Sequence, residues 1–227
     1  MAVIKQLNES IIGCKRCPRL VRWREAAAKN PPPRYLGQRY WAKPLPGFGD
    51  PKASLLIVGL APAAHGGNRT GRMFTGDRSG DWLYGALHAA GFANQANSDH
   101  RDDGLRLREC YITAAVHCAP PGNKPAIGEF QRCRPYLVQE LKHFRQVKVV
   151  IALGKIAFDS FIKAYEEAGG TITKPRPKFG HGVAVDLPNG QRLICSYHPS
   201  QQNTFTGKLT RLMFQSIFDR ARAILND

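Results

Sequence analysis

Three apolar runs, at residues 53–60, 110–118 and 147–153, constrain this chain more than any other feature. The first reads Ala-Ser-Leu-Leu-Ile-Val-Gly-Leu, without the polar alternation of a strand wetted on one side. Strands of that kind are covered on both faces, as in parallel sheets flanked by helices. Helical periodicity follows each run. Trp82, Leu83, Leu87 and Ala90 share a face in a predicted helix at 81–90, and Ile127, Phe130, Tyr136, Leu137, Leu141 and Phe144 do so over 126–145. Further helices are expected at 3–12, 155–168 and 208–225. Residues 182–187 and 192–197 flank Pro188-Asn189-Gly190, whose Asn-Gly step signals a hairpin turn. Strand–helix alternation within 227 residues predicts one α/β domain, a parallel sheet with helices on both faces. Residues 29–51, rich in proline and aromatic side chains, read as one long loop packed onto it.

Open α/β sheets bind ligands beyond the carboxyl ends of their strands. Here the first strand breaks into a glycine-rich loop, Gly59 to Asp77, and the last into Ser196-Tyr-His-Pro-Ser200. With the last strand parallel to the others, these loops and the one after the second strand bring Asp77, Asn123 and His198 to one edge. Asp77 has two readings, a chemical carboxylate or a helix cap. Asp81, directly ahead of the apolar-periodic segment, is the better expected cap. Pro199 stiffens a turn that aims His198 and Ser200 outward. Phe74, between Arg72 and Asp77 in a glycine-rich loop, reads either as a core residue or as a ring that stacks on a planar base. The run Gly66 to Met73 comes close to the phosphate-binding GxxxxGK[ST] pattern, but Arg72 and Met73 replace the lysine and the Mg²⁺-binding hydroxyl. A Mg²⁺-dependent phosphate-transfer site is therefore not expected.

The formal net charge is +16, from 33 Lys and Arg against 17 Asp and Glu. A field of that sign and size favours polyanions, nucleic acid above all. No run of about 18 apolar residues and no signal-peptide pattern is visible, so a soluble cytoplasmic chain is expected. Of six cysteines, Cys110 and Cys195 lie in apolar strands and read as packing residues. Cys14 and Cys17 form a CxxC pair, while Cys118 and Cys133 lie in basic, proline-containing segments. Four such thiols suit a metal site, and spacing alone leaves zinc and a 4Fe–4S cluster both open.

Gly59-Leu-Ala-Pro-Ala63, Phe74-Thr-Gly-Asp77, Cys14-Lys-Arg-Cys17 and His198-Pro-Ser200 together resemble the uracil-DNA glycosylase superfamily, most closely its family-five, B-type branch. The resemblance runs from Cys14 to the final helix. It implies an α/β/α sandwich with a four-stranded, mainly parallel sheet over residues 1–227, the segment 1–50 carrying part of a cluster site. It implies a structural 4Fe–4S cluster on Cys14, Cys17, Cys118 and Cys133. The implied chemistry is monofunctional excision of a deaminated base from double- or single-stranded DNA, with no need for Mg²⁺. Asp77, His198 and Asn123 would be the catalytic and base-binding groups, and Phe74 the stacking ring. Ser200, Gln202 and Asn203 would contact the DNA backbone, with Gln202 or Phe205 as the residue that fills the vacated stack. Related families place polar residues where Ala63 and Ala114 stand here. Sites lacking such groups discriminate less, which widens the expected substrates from uracil to hypoxanthine and xanthine. A monomer associated with the nucleoid is expected. The rival is a non-catalytic iron–sulfur nucleic-acid binder, which has no use for Asp77, Phe74 and His198 together.

Overall fold

The computed structural model describes residues 2–227. Its helices are α1 (Ala2–Ile12), α2 (Pro18–Lys29), α3 (Gly67–Thr70), α4 (Arg78–Ala89), α5 (Ile127–His143), α6 (Lys155–Glu167), α7 (Gln201–Phe205) and α8 (Arg211–Asn226). The strands are β1 (Phe48–Gly49), β2 (Leu55–Gly59), β3 (Cys110–Ala114), β4 (Val149–Leu153), β5 (Ala184–Asp186) and β6 (Arg192–Ser196). They form one sheet in the order β1-β3-β2-β4-β6-β5.

The inner strands β3, β2, β4 and β6 are mutually parallel. Every residue of β2, β3 and β4 is buried, the consequence of cover on both faces. Successive side chains go to opposite layers. Leu56 and Val58 join Ile4, Leu7, Ile11, Leu137 and Phe161 on one side, while Leu55 and Ile57 join Leu83, Leu87, Phe214 and Phe218 on the other. Helices α1, α5 and α6 thus cover one face, and α4 and α8 the other. Residues of α1 lie in the same core as the sheet, so the N-terminal segment is part of the domain's interior.

Two expectations need correcting. The sheet has six strands, because β1 and β5 add short antiparallel edges to the four parallel ones. A two-residue strand leaves no room for periodicity, which is why β1 is invisible inside the 29–51 loop. Helix α2 is also unanticipated. It buries only Leu20, Arg24 and Ala27, too few apolar positions to mark a face. Among the described residues, no helix is long and apolar enough to cross a membrane.

Candidate active site and cysteine cavity

Strand β6 pairs in parallel with β4, so the loop carrying His198 opens at the same edge as the one carrying Asp77. The rings of Phe74 and His198 meet there, 5.9 Å apart between centroids and inclined by 31°. Glycines stand beneath them, one at the end of β2 and one just after β4. A Cβ on Gly59, the last residue of β2, would lie 2.8 Å from the Phe74 ring, and one on Gly154, just after β4, 3.3 Å from the His198 Cβ. Ala114 ends β3 in register with Gly59. Glycine and alanine therefore stand at the strand ends on this edge.

Asp77, not Asp81, caps α4: its Oδ1 accepts from the backbone N–H of Gly80 at 3.0 Å. The helix begins at Arg78 because the cap lies one turn earlier than the first apolar positions indicate. Capping does not exhaust the carboxylate, whose Oδ2 lies directly against the Cα of Gly66. Loss of hydration raises the Asp77 pKa, partly offset by the N–H groups of Gly80 and Ser79. Burial lowers His198 to about 4, so the imidazole is neutral at pH 7 and keeps one ring N–H to donate.

The other expected site residues lie around this pair. Asn123 stands on a short 3₁₀ turn after β3, solvent-exposed, with φ of 57° and no side-chain hydrogen bond. Ser200 caps α7 by accepting from the Asn203 N–H at 3.4 Å. Asn203 donates through Nδ2 to the His198 carbonyl at 2.9 Å, so this side chain braces the histidine turn from below. Gln202 is exposed, as is Phe205, beneath the Arg78 guanidinium at 4.4 Å. Ala63 is half-buried in the glycine-rich loop, where its carbonyl accepts from Asn68 at 3.1 Å.

Cys14, Cys17, Cys118 and Cys133 line one cavity of about 350 Å³ including its mouth, together with Arg16, Arg24 and Arg132. N–H groups point at three of the four sulfurs. Arg24 Nη1 reaches Cys118 Sγ at 3.1 Å, the His117 backbone N–H reaches Cys133 Sγ at 3.3 Å, and Arg132 Nε reaches Cys17 Sγ at 3.5 Å. Burial pushes Cys118 up to about 11 and Cys133 higher still. Neutral thiols have little use for three donors and three guanidinium groups; thiolates neutralised by a bound cationic centre do. Among the described residues no three His, Cys, Asp or Glu side chains gather around a single-ion position. Cys110 and Cys195 are fully buried in the two core layers, as expected of packing residues.

The family model for the uracil DNA glycosylase superfamily matches residues 46–222, which include the whole sheet-edge site. A type-5 uracil-DNA glycosylase of Mycobacterium tuberculosis is 49% identical over 97% of this chain and 81% of its own length. Type-5 enzymes of Thermus thermophilus and Pyrobaculum aerophilum are 45% and 44% identical, over 95% and 94% of this chain and 95% and 89% of theirs. The chain belongs to the type-5 uracil-DNA glycosylase family.

What sequence reading of this glycosylase-family chain misses is the support behind the ring. Phe74 sits at φ of 51°, a left-handed conformation uncommon for a bulky residue. Such strain persists only where the surroundings over-determine it. Here Arg72, almost wholly buried, donates from Nε to Thr75 Oγ1 at 2.9 Å and from Nη2 to Ser98 Oγ at 2.8 Å. It also grips Asp103, Nη1 to Oδ1 at 2.9 Å and Nη2 to Oδ2 at 2.6 Å. Burial by itself would raise Asp103, but Arg72 and the N–H groups of Leu105, His100 and Asp99 hold it well below the usual carboxylate range. Tyr84 Oη adds a bond to the Met73 carbonyl at 2.7 Å. The signal available in the sequence is a second arginine in a glycine-rich loop; nothing local names its partner 31 residues on.

Proposed function

We propose that this chain excises uracil, and with it hypoxanthine and xanthine, from DNA by hydrolysing the N-glycosidic bond. The observation that carries the reading is the Phe74–His198 ring pair standing over strand ends of glycine and alanine, in the same loop cluster as a desolvated carboxylate. A base in a duplex cannot present its glycosidic bond, so the nucleotide must first leave the stack, at a cost of a few kcal/mol. Mispaired deaminated bases are easiest to extrude. Phe74 stacks on the extruded base. As the bond from C1′ to the base nitrogen breaks, positive charge grows on the sugar and negative charge on the base. Ionised Asp77 stabilises the sugar and orients a water, whose oxygen bonds to C1′ while its proton passes to the carboxylate. The electron pair leaves with the base, and the neutral ring N–H of His198 donates to the carbonyl where that charge gathers. Asn123, exposed on the neighbouring turn, binds the base edge or the water. Gln202 and Ser200 face the backbone, and Phe205, 64% exposed beside Arg78, fills the vacated space.

Ala63 and Ala114 offer no hydrogen bonds that a wrong base would leave unmet, which is the physical basis for the wider range. The four cysteines fit a 4Fe–4S cluster better than zinc. They face one cavity with N–H donors on three of their four sulfurs, the hydrogen bonding to sulfur that holds and tunes such clusters. When bound, the cluster supplies a rigid tie between the N-terminal segment and α5; the excision steps belong to the chain's own side chains. The reaction runs in the cytoplasm on a single chain, without Mg²⁺. Duplexes containing uracil, hypoxanthine, xanthine or undamaged bases, incubated with the protein in EDTA and then cleaved at abasic sites with alkali, test this. Strand scission at the first three is expected. Scission at none of them ends the reading; scission at uracil alone removes only the wider range.

A further inference from the structure

Residues 33–40 form a projection that the excision steps leave without a task. A 3₁₀ turn, Pro33–Tyr35, ends at Leu36, and Gly37 at φ of 78° reverses the chain. Leu36 stands at the tip, 67% exposed. An exposed leucine on a loose loop would be unremarkable, but this one is held in place. Arg69 donates from Nη1 to Gln38 Oε1 at 2.8 Å, and its guanidinium lies 4.2 Å from the Tyr35 ring centre, with Arg34 at 4.7 Å. The Tyr35 ring also stacks on His65 at 6.3 Å, and Tyr40 Oη bonds His65 Nδ1 at 2.9 Å. Past the tip, the Trp41 and Ala42 N–H groups bond the carbonyls of Arg69 and Asn68 at 3.0 and 3.1 Å.

Apart from Arg34, every one of these braces ends on residues 65–69 of the loop that carries Asp77. Arg69 Nη2 continues to the Gly76 carbonyl at 3.0 Å, and Gly66 is the residue against which Asp77 rests. The tip is thus fixed to the rim of the cleft on the Asp77 side. Phe205 with Arg78 stands on the α7 side, which Asn203 ties to His198. Each element pairs an exposed apolar side chain with arginine. Arg34 and Arg39 are exposed and have no acidic partner among the described residues. Cations spaced about a rigid apolar tip match a nucleic-acid strand, which offers phosphates outside and base or sugar faces inside.

We propose that the 34–39 tip is a second DNA-strand contact. Leu36 packs against a base or deoxyribose flanking the lesion, and Arg34 and Arg39 take phosphates. The proposal rests on the glycosylase reading for which DNA is bound, and its test separates the two. The probe is a fluorescein-labelled duplex carrying a 2′-fluoro-deoxyuridine that resists excision, read by anisotropy across a salt series with the full-length, cluster-loaded protein. Arg34→Ala/Arg39→Ala should lower the slope of log affinity against log salt by about two, one for each phosphate no longer neutralised. Arg34→Lys/Arg39→Lys should restore the slope, which a mere folding defect would not allow. Leu36→Ala should weaken binding several-fold with the slope unchanged. Wild-type slope and affinity in both alanine variants would overturn the proposal and leave the tip to a protein partner. If the wild type cleaves no deaminated base yet the slope still falls by about two, the tip stands and only the excision reading falls.

Discussion

The loop carrying Asp77 and the wall carrying the cysteines are held in different ways. The Asp77 loop is braced by the chain itself: Arg72, Asp103, Ser98, Thr75 and Tyr84 close a buried hydrogen-bond network around a strained Phe74. The cysteine wall draws residues from the turn after α1, the start of α2, the loop after β3 and the middle of α5, and three of its four sulfurs accept from N–H groups around them. One region carries its geometry internally; the other has donors arranged for a guest. Hydrogen bonds join them: Asn68 Nδ2 in the loop donates to the Arg24 carbonyl in α2 at 3.2 Å, and the N–H groups of Ala115 and Val116, on the way to Cys118, donate to the Gly59 and Leu60 carbonyls at 2.9 and 3.0 Å. The two regions differ in what holds them, and a short seam of backbone and side-chain bonds couples them.

The largest expected effect tests the chemical half. Asp77→Asn should slow single-turnover excision by roughly 10³–10⁴-fold, the upper part of the range for a positioned base. Asparagine caps a helix as well as aspartate, so melting temperature should barely move. A near-normal rate would reduce Asp77 to a cap. In the wild type, the raised Asp77 pKa keeps the carboxyl protonated to a higher pH than an ordinary aspartate. Excision should therefore fall as pH drops, through a limb lying above that of an ordinary aspartate. His198, lowered to about 4, adds nothing to that limb at neutral pH. Its own test is His198→Ala, with a loss of roughly 10²–10³-fold; an unchanged rate at saturating enzyme would make the ring structural.

Next comes the brace. Asp103→Asn should cost about 10²-fold in the single-turnover rate while DNA affinity stays within a few-fold, because a small misplacement of Asp77 and Phe74 penalises the reaction more than binding. Arg72→Lys should not be tolerated better, since one ammonium cannot replace a fork that holds Thr75, Ser98 and Asp103 together. Equal losses in affinity and rate would show the network holding DNA and not the catalytic loop. The smallest effect on excision should come from the other region. If the four cysteines hold the proposed cluster, Cys133→Ser should remove its visible colour and open residues 13–30 to limited proteolysis, while the rate at low temperature falls only several-fold. Inactivation as deep as that of Asp77→Asn, with the fold intact by circular dichroism, would mean that the seam through Asn68, Gly59 and Leu60 couples the two regions tightly.

The parallel core is legible in the sequence, because fully apolar runs at β2, β3 and β4 have few other uses, and so is the Asn-Gly hairpin, because that turn chemistry is local. Asp77 and His198 are legible through the loops that follow strand ends. The Asp77 cap is not, since the first turn of α4 holds Arg78, Ser79 and Gly80 and shows no apolar period. In sequence Arg24 merely adds to the net positive charge and Arg72 stands where a phosphate loop would have lysine, yet both are buried. Charge in a sequence says nothing of which side of the surface it lies on until its partner, here Asp103 or Cys118, is known. The 33–40 projection reads only as proline-rich and aromatic, because its main braces run to residues more than 20 positions away.

At Gly59 and Gly154 two absent methyl groups leave the room into which the Phe74 ring and the His198 turn settle, so the backbone beneath fixes how low that edge of the sheet lies. Drift at those codons would lift the rings toward the opening and shallow the recess. A directed-evolution campaign seeking new base preferences would accordingly do better to vary the walls than to touch the mould beneath them.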